Sequence, residues 1–321
     1  MKKLSLLILM SMMASMTSAP LLSAQEEDSA LNQAKKLALA LAGQETPYLR
    51  VVKGKTTSRL ETACVTFENL DTGASVTLVS AVHIGDKAYY KVLQKHLEDY
   101  DKVFFEGVKQ DGPSNELMSL VSRLQSSLKN FLGLAFQPEQ MDMSKPNMVH
   151  ADMKASQLQE LLKKRGISLL PNEDLLGMFG PMVVKGLEMI APAPDQKPNR
   201  LQDLMQRRMK SVFAEALSKG IQIYDKLKKP EDKARDELLI GARNQIAMDL
   251  LKKSLAAKPG GKYAILYGGA HHPDFEKRLT TELEMQKTGT QWLSAWDISP
   301  SKPQPASKPA AKKAPKKKRV L

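Results

Sequence analysis

Two segments far apart in the chain share one pattern. Leu78–Gly85 and Ile265–Pro273 are each an apolar run that ends in small residues and then a histidine, His83 in the first and His271 in the second. Such a run followed by a tight turn predicts a buried strand whose end lies at the carboxyl edge of a sheet, where open α/β sheets bind ligands. A third run, Lys102–Gly107, ends in the carboxylate of Glu106. Two neutral imidazoles and a carboxylate can hold Zn²⁺, Mn²⁺ or Co²⁺ and leave a position for water, which then becomes acidic enough to attack an amide or ester near neutral pH. The same three residues can also act without metal, Glu106 as an acid–base and His83 or His271 as its partner. Adjacent residues on a turn point apart, so His272 is expected at the surface. His96 is expected to face solvent, and His150 to line the site or cap a helix.

The elements that would position these groups can be read from periodicity. Glu61–Glu68 and Ser75–Val82 are strand runs joined by a turn with Gly73 at a left-handed position. Asp86–Tyr100 is a helix capped by Asp86, and Lys102–Phe105 is a strand, so strand, helix and strand form a βαβ unit with a parallel pair. Residues 112–236 are predicted to be a mostly helical insertion. It contains Asn115–Phe136, Ala155–Arg165 and a Met-rich stretch, Leu175–Ile190, broken by glycine and proline, with a loop at Ala191–Asp195. Methionine adapts to irregular ligands, so this stretch is a candidate cap over greasy peptides or lipids. Asp232–Leu255 is a helix carrying Arg243 and Asn244, Tyr263–Tyr267 is the last core strand, Asp274–Glu284 is a helix capped by Asp274, and Trp292–Ile298 is an edge strand. The expected fold class is α/β, with a mixed, largely parallel sheet.

The chain ends differ in character from the middle. Residues 1–24 have a short basic start, an apolar core and small residues up to Ala24, the pattern of a secretory signal peptide; the apolar run is shorter than the roughly 18 residues that span a membrane. This predicts an exported protein, periplasmic or secreted. Residues 25–60 read as an N-terminal helix (Ala30–Ala42, capped by Ser29) and linker, 61–298 as the α/β domain, and 299–321 as a disordered Lys/Pro/Ala-rich tail. The net charge is +13, but eight basic residues lie in that tail and two in the signal peptide, which leaves the core near +3. With aromatics at 5%, this argues against a nucleic-acid partner. The tail instead suits loose contact with an anionic envelope surface. Cys64, the single cysteine, permits no internal disulfide and is expected to be a buried hydrophobe.

Four blocks, in order, resemble the TraB/PrgY/GumN/TIKI family. They are Val82-His83-Ile84-Gly85-Asp86 with Phe105-Glu106-Gly107, then His150-Ala151-Asp152-Met153, then Arg243-Asn244 with Ala247-Met248, and then Gly268-Gly269-Ala270-His271. The resemblance runs from about residue 60 to 298. It implies a fold related to the erythromycin esterase and ChaN-like proteins, and a divalent-metal site, with metal-dependent peptide cleavage in the animal TIKI members. Carried over by position, His83, Glu106 and His271 are the metal set, and Glu106, Arg243 and Asn244 the catalytic set. Arg243 would stabilise an oxyanion or hold Glu106 by an ion pair, and Asp86 and Asp152 could orient a ligand histidine. The first motif departs from the family in having Ser80 where glycine is usual. The expected function is an exported metal-dependent hydrolase of peptides. The alternative is a non-catalytic envelope protein that binds or sequesters a hydrophobic peptide or haem-like ligand.

Overall fold

The structure is a computed structural model that describes residues 48–299, apart from 56, 113–115, 168–172, 194–195 and 228–229. The signal peptide, the Ala30–Ala42 helix and the basic tail lie outside the described residues. A seven-stranded sheet forms the centre. Its parallel part is β3 (Ser75–Ala81), β8 (Lys262–Gly268), β5 (Lys102–Phe105) and β7 (Met148–His150), side by side in that order. The antiparallel part is built on β2 (Ser58–Glu68). One edge of β2 pairs with β1 (Leu49–Lys53) at its start and with β3 at its end, and the other pairs with β9 (Gln286–Asp297) along its length. The fold is thus mixed α/β, and its central strands are parallel. The described part of the stretch expected to be N-terminal helix and linker, from residue 48 to 60, holds β1 and the start of β2.

Helices cover both faces, which is why β3, β5 and β8 read as nearly unbroken apolar runs. Val79, Val103 and Leu266 face one core with α1 (Lys87–His96), α2 (Glu116–Leu132), α5 (Glu173–Ile190) and α6 (Arg200–Leu227). Leu78, Phe104, Ile265 and Tyr267 face the other core with α8 (Arg243–Ala257) and α9 (His272–Glu282). Successive strand residues go to opposite cores, as the pleat demands. Cys64 is buried, and burial pushes its thiol up to about 12, so it packs as a hydrophobe.

Several sequence expectations change here. The βαβ unit exists, but β8 enters between β3 and β5, so those two strands are parallel without touching. The helix after His83 ends at His96 and tightens into a 3₁₀ turn over Leu97–Asp99. Asp86 does not cap it with its side chain; its carboxylate accepts the Asp297 N–H (2.6 Å) and approaches Lys210 Nζ (3.4 Å). The helical insertion is interrupted by β6 (Ala135–Phe136), which pairs with β4 (Ile84–Gly85), by the short α3 (Gln137–Gln140), and by β7, which joins the main sheet. After β7 comes α4 (Ala155–Lys164). Gly and Pro do not break α5, which runs through Pro181 because packing of its apolar side on α2 outweighs one lost helical bond. His96 is half-buried and bonds Tyr100 (3.2 Å) rather than facing open solvent.

The turn between β2 and β3 holds Gly73 at φ +70°. Ser80 carries no comparable strain: it sits within β3, opposite Tyr267, and Glu284 alone has positive φ among the described non-glycine residues. Serine at this place in the motif therefore leaves the backbone unstrained. Its cost is polar, since the buried Ser80 Oγ has no hydrogen-bond partner among the described residues. A Cβ on Gly269 would lie 3.0 Å from Leu49 Cδ1 and 3.1 Å from Ser80 Oγ. Ser80→Ala is therefore expected to be neutral or to stabilise by up to about 1 kcal/mol, because it removes an unsatisfied buried hydroxyl. Gly269→Ala should destabilise, and less so in the Ser80→Ala background. Urea titrations of the three variants check this; a Ser80→Ala loss larger than about 1 kcal/mol would refute the reading.

Candidate functional site

Parallel strands deliver their next residues to one edge. His83 lies just past β3, Glu106 just past β5, Asp152 two residues past β7 and His271 three past β8. The Glu106 N–H continues the ladder to the Leu266 carbonyl (2.9 Å), and this fixes the carboxylate beside the loop that leads to His271. Glu106 Oε2 then accepts the Gly268 N–H at 2.7 Å. Glu106 and His271 approach to 3.6 Å between Oε1 and Nε2.

Arg243 ties these ends together. Its Nε donates to Asp152 Oδ1 (2.8 Å) and its Nη2 to Asp152 Oδ2 (2.5 Å) and to Glu106 Oε1 (2.9 Å). Its Nη1 donates to the Leu239 carbonyl (3.3 Å) and lies 3.4 Å from His271 Nε2. Asp152 is held in turn by the Gly107 and Met153 N–H groups (2.9 and 2.7 Å). Of the two roles expected for Arg243, the ion pair with Glu106 is the one seen. The expected Asp232–Leu255 helix is not uniform: α7 (Pro230–Asp236) passes into a π-helical segment, Glu237–Ala242, and α8 begins at Arg243. Such widened turns gather at functional sites because they re-aim a side chain, and here the segment ends where Arg243 enters the cluster.

Asn244 acts on His271. Its Nδ2 donates to the His271 carbonyl (3.1 Å) and to Asp274 Oδ2 (2.8 Å), so its Oδ1 is the acceptor for His271 Nδ1, at 2.6 Å. The proton is therefore on Nδ1, and the Nε2 lone pair faces Glu106 and Arg243. Burial holds His271 neutral, lowering it to about 3, although the neighbouring Glu106 pulls the other way. Burial alone would raise Glu106; its neighbours outweigh that and keep it well below the usual carboxylate range. The neighbours that lower it are His271, the Arg243 guanidinium, His83 and the Gly268 N–H.

The structure thus brings Glu106, Arg243, Asn244 and His271 together. His83 is half-exposed at the edge of the cluster and acts electrostatically on Glu106, while its carbonyl accepts the Gln137 N–H (2.9 Å). Among the described residues, no three His, Cys, Asp or Glu side chains cluster as a metal site. Asp152 orients Arg243 rather than a histidine, and Asp86 lies with Asp297 and Lys210. Asp274 sits in the first turn of α9 without capping it and holds Asn244 and Arg278 (2.7 Å); its place three residues after His271 was the available signal for that role. His272 is fully buried, contrary to expectation. It tilts over the Tyr48 ring at 4.8 Å, and its Nε2 donates to the Tyr267 carbonyl (3.0 Å), because helix α9 starts there and turns the residue into the core. His150 is exposed, edge-on to Phe105, with Nε2 2.5 Å from the Gly107 carbonyl; it ends β7 and caps no helix.

No family model, curated protein or solved structure matches the chain.

Burial also lowers His272, to about 4. In the fold both histidines stay neutral, while the unfolded chain takes up protons below the ordinary value near 6.5. Stability is then fully present above pH 6.5 and is lost as pH falls from there toward 4. Urea unfolding from pH 7.5 to 4.5, with chelator present, should show falling midpoints, and His272→Gln should remove about one proton from the uptake on unfolding. A flat profile over that range would refute the assignment.

Proposed function

We propose that the chain is a TraB/TIKI-like, metal-dependent hydrolase that acts on an amide or ester carbonyl in a peptide-like substrate. The observation that carries this reading is a neutral His271 whose unprotonated Nε2 lies 3.6 Å from the buried carboxylate of Glu106. A histidine lowered to about 3 is a weak general base near neutral pH, where the useful value lies close to the working pH. It is, however, in the form that a metal ligand needs. Charge points the same way: one guanidinium, Arg243, bonds two carboxylates, Glu106 and Asp152, so this trio has excess negative charge. The donor types of His83, Glu106 and His271 suit Mn²⁺, Co²⁺ or Zn²⁺.

When bound, such a cation supplies a water acidic enough to attack a carbonyl near neutral pH. The chain's own residues do the rest. Asn244 keeps the His271 proton on Nδ1 and so keeps Nε2 unprotonated. The Gly268 N–H holds Glu106 as a carboxylate. Arg243, anchored on Asp152 by two bonds, can release its single Nη2 bond to Glu106 without leaving the site. A fold related to the erythromycin esterase and ChaN-like proteins, export through the N-terminal segment, and loose contact of the basic tail with an anionic envelope belong to the same proposal.

One observation favours a second reading. The Arg243 guanidinium already faces both Glu106 Oε1 and His271 Nε2, at 2.9 and 3.4 Å, and so fills the position a shared cation would take. On that reading the site is permanently closed by arginine, and the protein binds a hydrophobic peptide or haem-like ligand without turnover. Metal analysis of the purified chain, with Co²⁺ absorption as a second readout, separates the two. Near-stoichiometric metal, lost in His83→Ala and His271→Ala, is the expected result. No uptake by any form after reloading would overturn the hydrolase reading and favour the binder.

A further inference from the structure

The helical layer carries a surface that the proposed chemistry does not use. In α5 the buried side is Val183, Val184 and Leu187, and Met182, Lys185 and Met189 recur at helical spacing on the exposed side. In α6, Leu201, Leu204 and Arg208 form a similar exposed stripe. Met189 is 78% exposed, Leu201 65%, Leu204 61% and Met182 58%. With Ile190 they make five of the seven exposed large hydrophobics among the described residues; Leu70 and Val92 lie elsewhere, singly. Single exposed apolar residues are ordinary, whereas a concentration of them marks a contact surface.

The corner that presents them is braced. Gln202 Nε2 donates to the Ile190 carbonyl (3.2 Å), which pins the end of α5 to the start of α6. Asn199 and Gln202 exchange side-chain-to-backbone bonds of 2.9 and 3.0 Å, a reciprocal cap on α6. Its charge is net positive. Lys185, Lys197, Arg200 and Arg208 are exposed and have no ion-pair partner among the described residues. Against these four stand two described acids: Asp203, which pairs with Arg207 (3.0 Å), and Glu188, which accepts from Ser127 Oγ (3.3 Å) and keeps its charge.

We propose that the α5–α6 corner docks the protein on an anionic lipid surface. Apolar side chains flanked by free cations suit that partner. The methionines and leucines enter the acyl boundary, while the Lys and Arg stems reach back to the phosphates. No described helix is long and apolar enough to cross a membrane, so this contact is interfacial. It is independent of the metal site and of the basic tail.

The test is sedimentation of the full chain with phosphatidylglycerol/phosphatidylcholine vesicles and with pure phosphatidylcholine vesicles. Binding should require the anionic lipid. Met189→Asp with Leu204→Asp should raise the lipid needed for half-binding by at least about tenfold. Lys185→Glu with Arg208→Glu should weaken binding and flatten its salt dependence. Unchanged binding of the Met189→Asp/Leu204→Asp variant would overturn the proposal and assign the contact to the chain ends. Should that variant fail to fold, Leu204→Trp keeps the test: its added emission should shift blue on anionic vesicles. No shift, or self-association that lipid does not alter, would equally overturn the proposal.

Discussion

The site depends on one guanidinium. Arg243 reaches from the first turn of α8 to Asp152 beyond β7 and Glu106 beyond β5, and approaches His271 beyond β8. Without it, two carboxylates would sit within a few ångströms of each other in a largely buried place, an arrangement that costs several kcal/mol for each uncompensated ion. Its planar fork suits this task because Nε and Nη2 can engage both oxygens of Asp152 while the same Nη2 also bonds Glu106; a lysine ammonium has no such geometry. The π-helical segment that precedes it has a physical meaning in this light, as a local departure from the helix that brings the arginine to the cluster.

A second layer of bonds makes the cluster definite. Asn244 follows Arg243 immediately in the chain, so one helical turn supplies both the ion pair and the amide that fixes the His271 tautomer. Asp274, itself held by Arg278, then accepts from Asn244; both Asp274 and Arg278 lie on α9, the helix that His271 itself opens. The order of packing is therefore circular: α8 positions the loop that starts α9, and α9 positions the amide on α8. Such mutual bonds are worth about 1 kcal/mol each when intact and cost more when one partner is removed, which favours a single arrangement of the site.

The same sheet serves two purposes. Its double helical cover creates the apolar runs that end in His83, Glu106 and His271, and its parallel order places those ends on one edge. The antiparallel part, built on β2, closes the other side of the sheet and buries Trp296 at the seam with β4, where its indole donates to the Ile84 carbonyl (2.7 Å). The helical layer over one core leaves its outer stripe unburied, because α5 and α6 bury only their inner sides.

Much of this was legible in residue order. The apolar runs, their histidine and glutamate endings and the buried Cys64 follow from residue types, since period and composition act over a few neighbours; Arg243 and Asn244 were joined to the site only by the resemblance of their helix to a family motif. What the sequence left open follows from long-range packing. It could not show that β8 enters between β3 and β5, because strand order is set by the whole sheet. It placed His272 at the surface, and the start of α9 turned that residue inward against Tyr48. It offered Arg243 two roles and Asp152 a histidine partner; the three-dimensional meeting of α8 with the ends of β5 and β7 decided for the ion pairs. By itself the sequence determined which chemical groups the protein carries to the edge of its sheet. Only the tertiary structure decided which of them touch, because charge pairing depends on distances between segments that local periodicity does not encode.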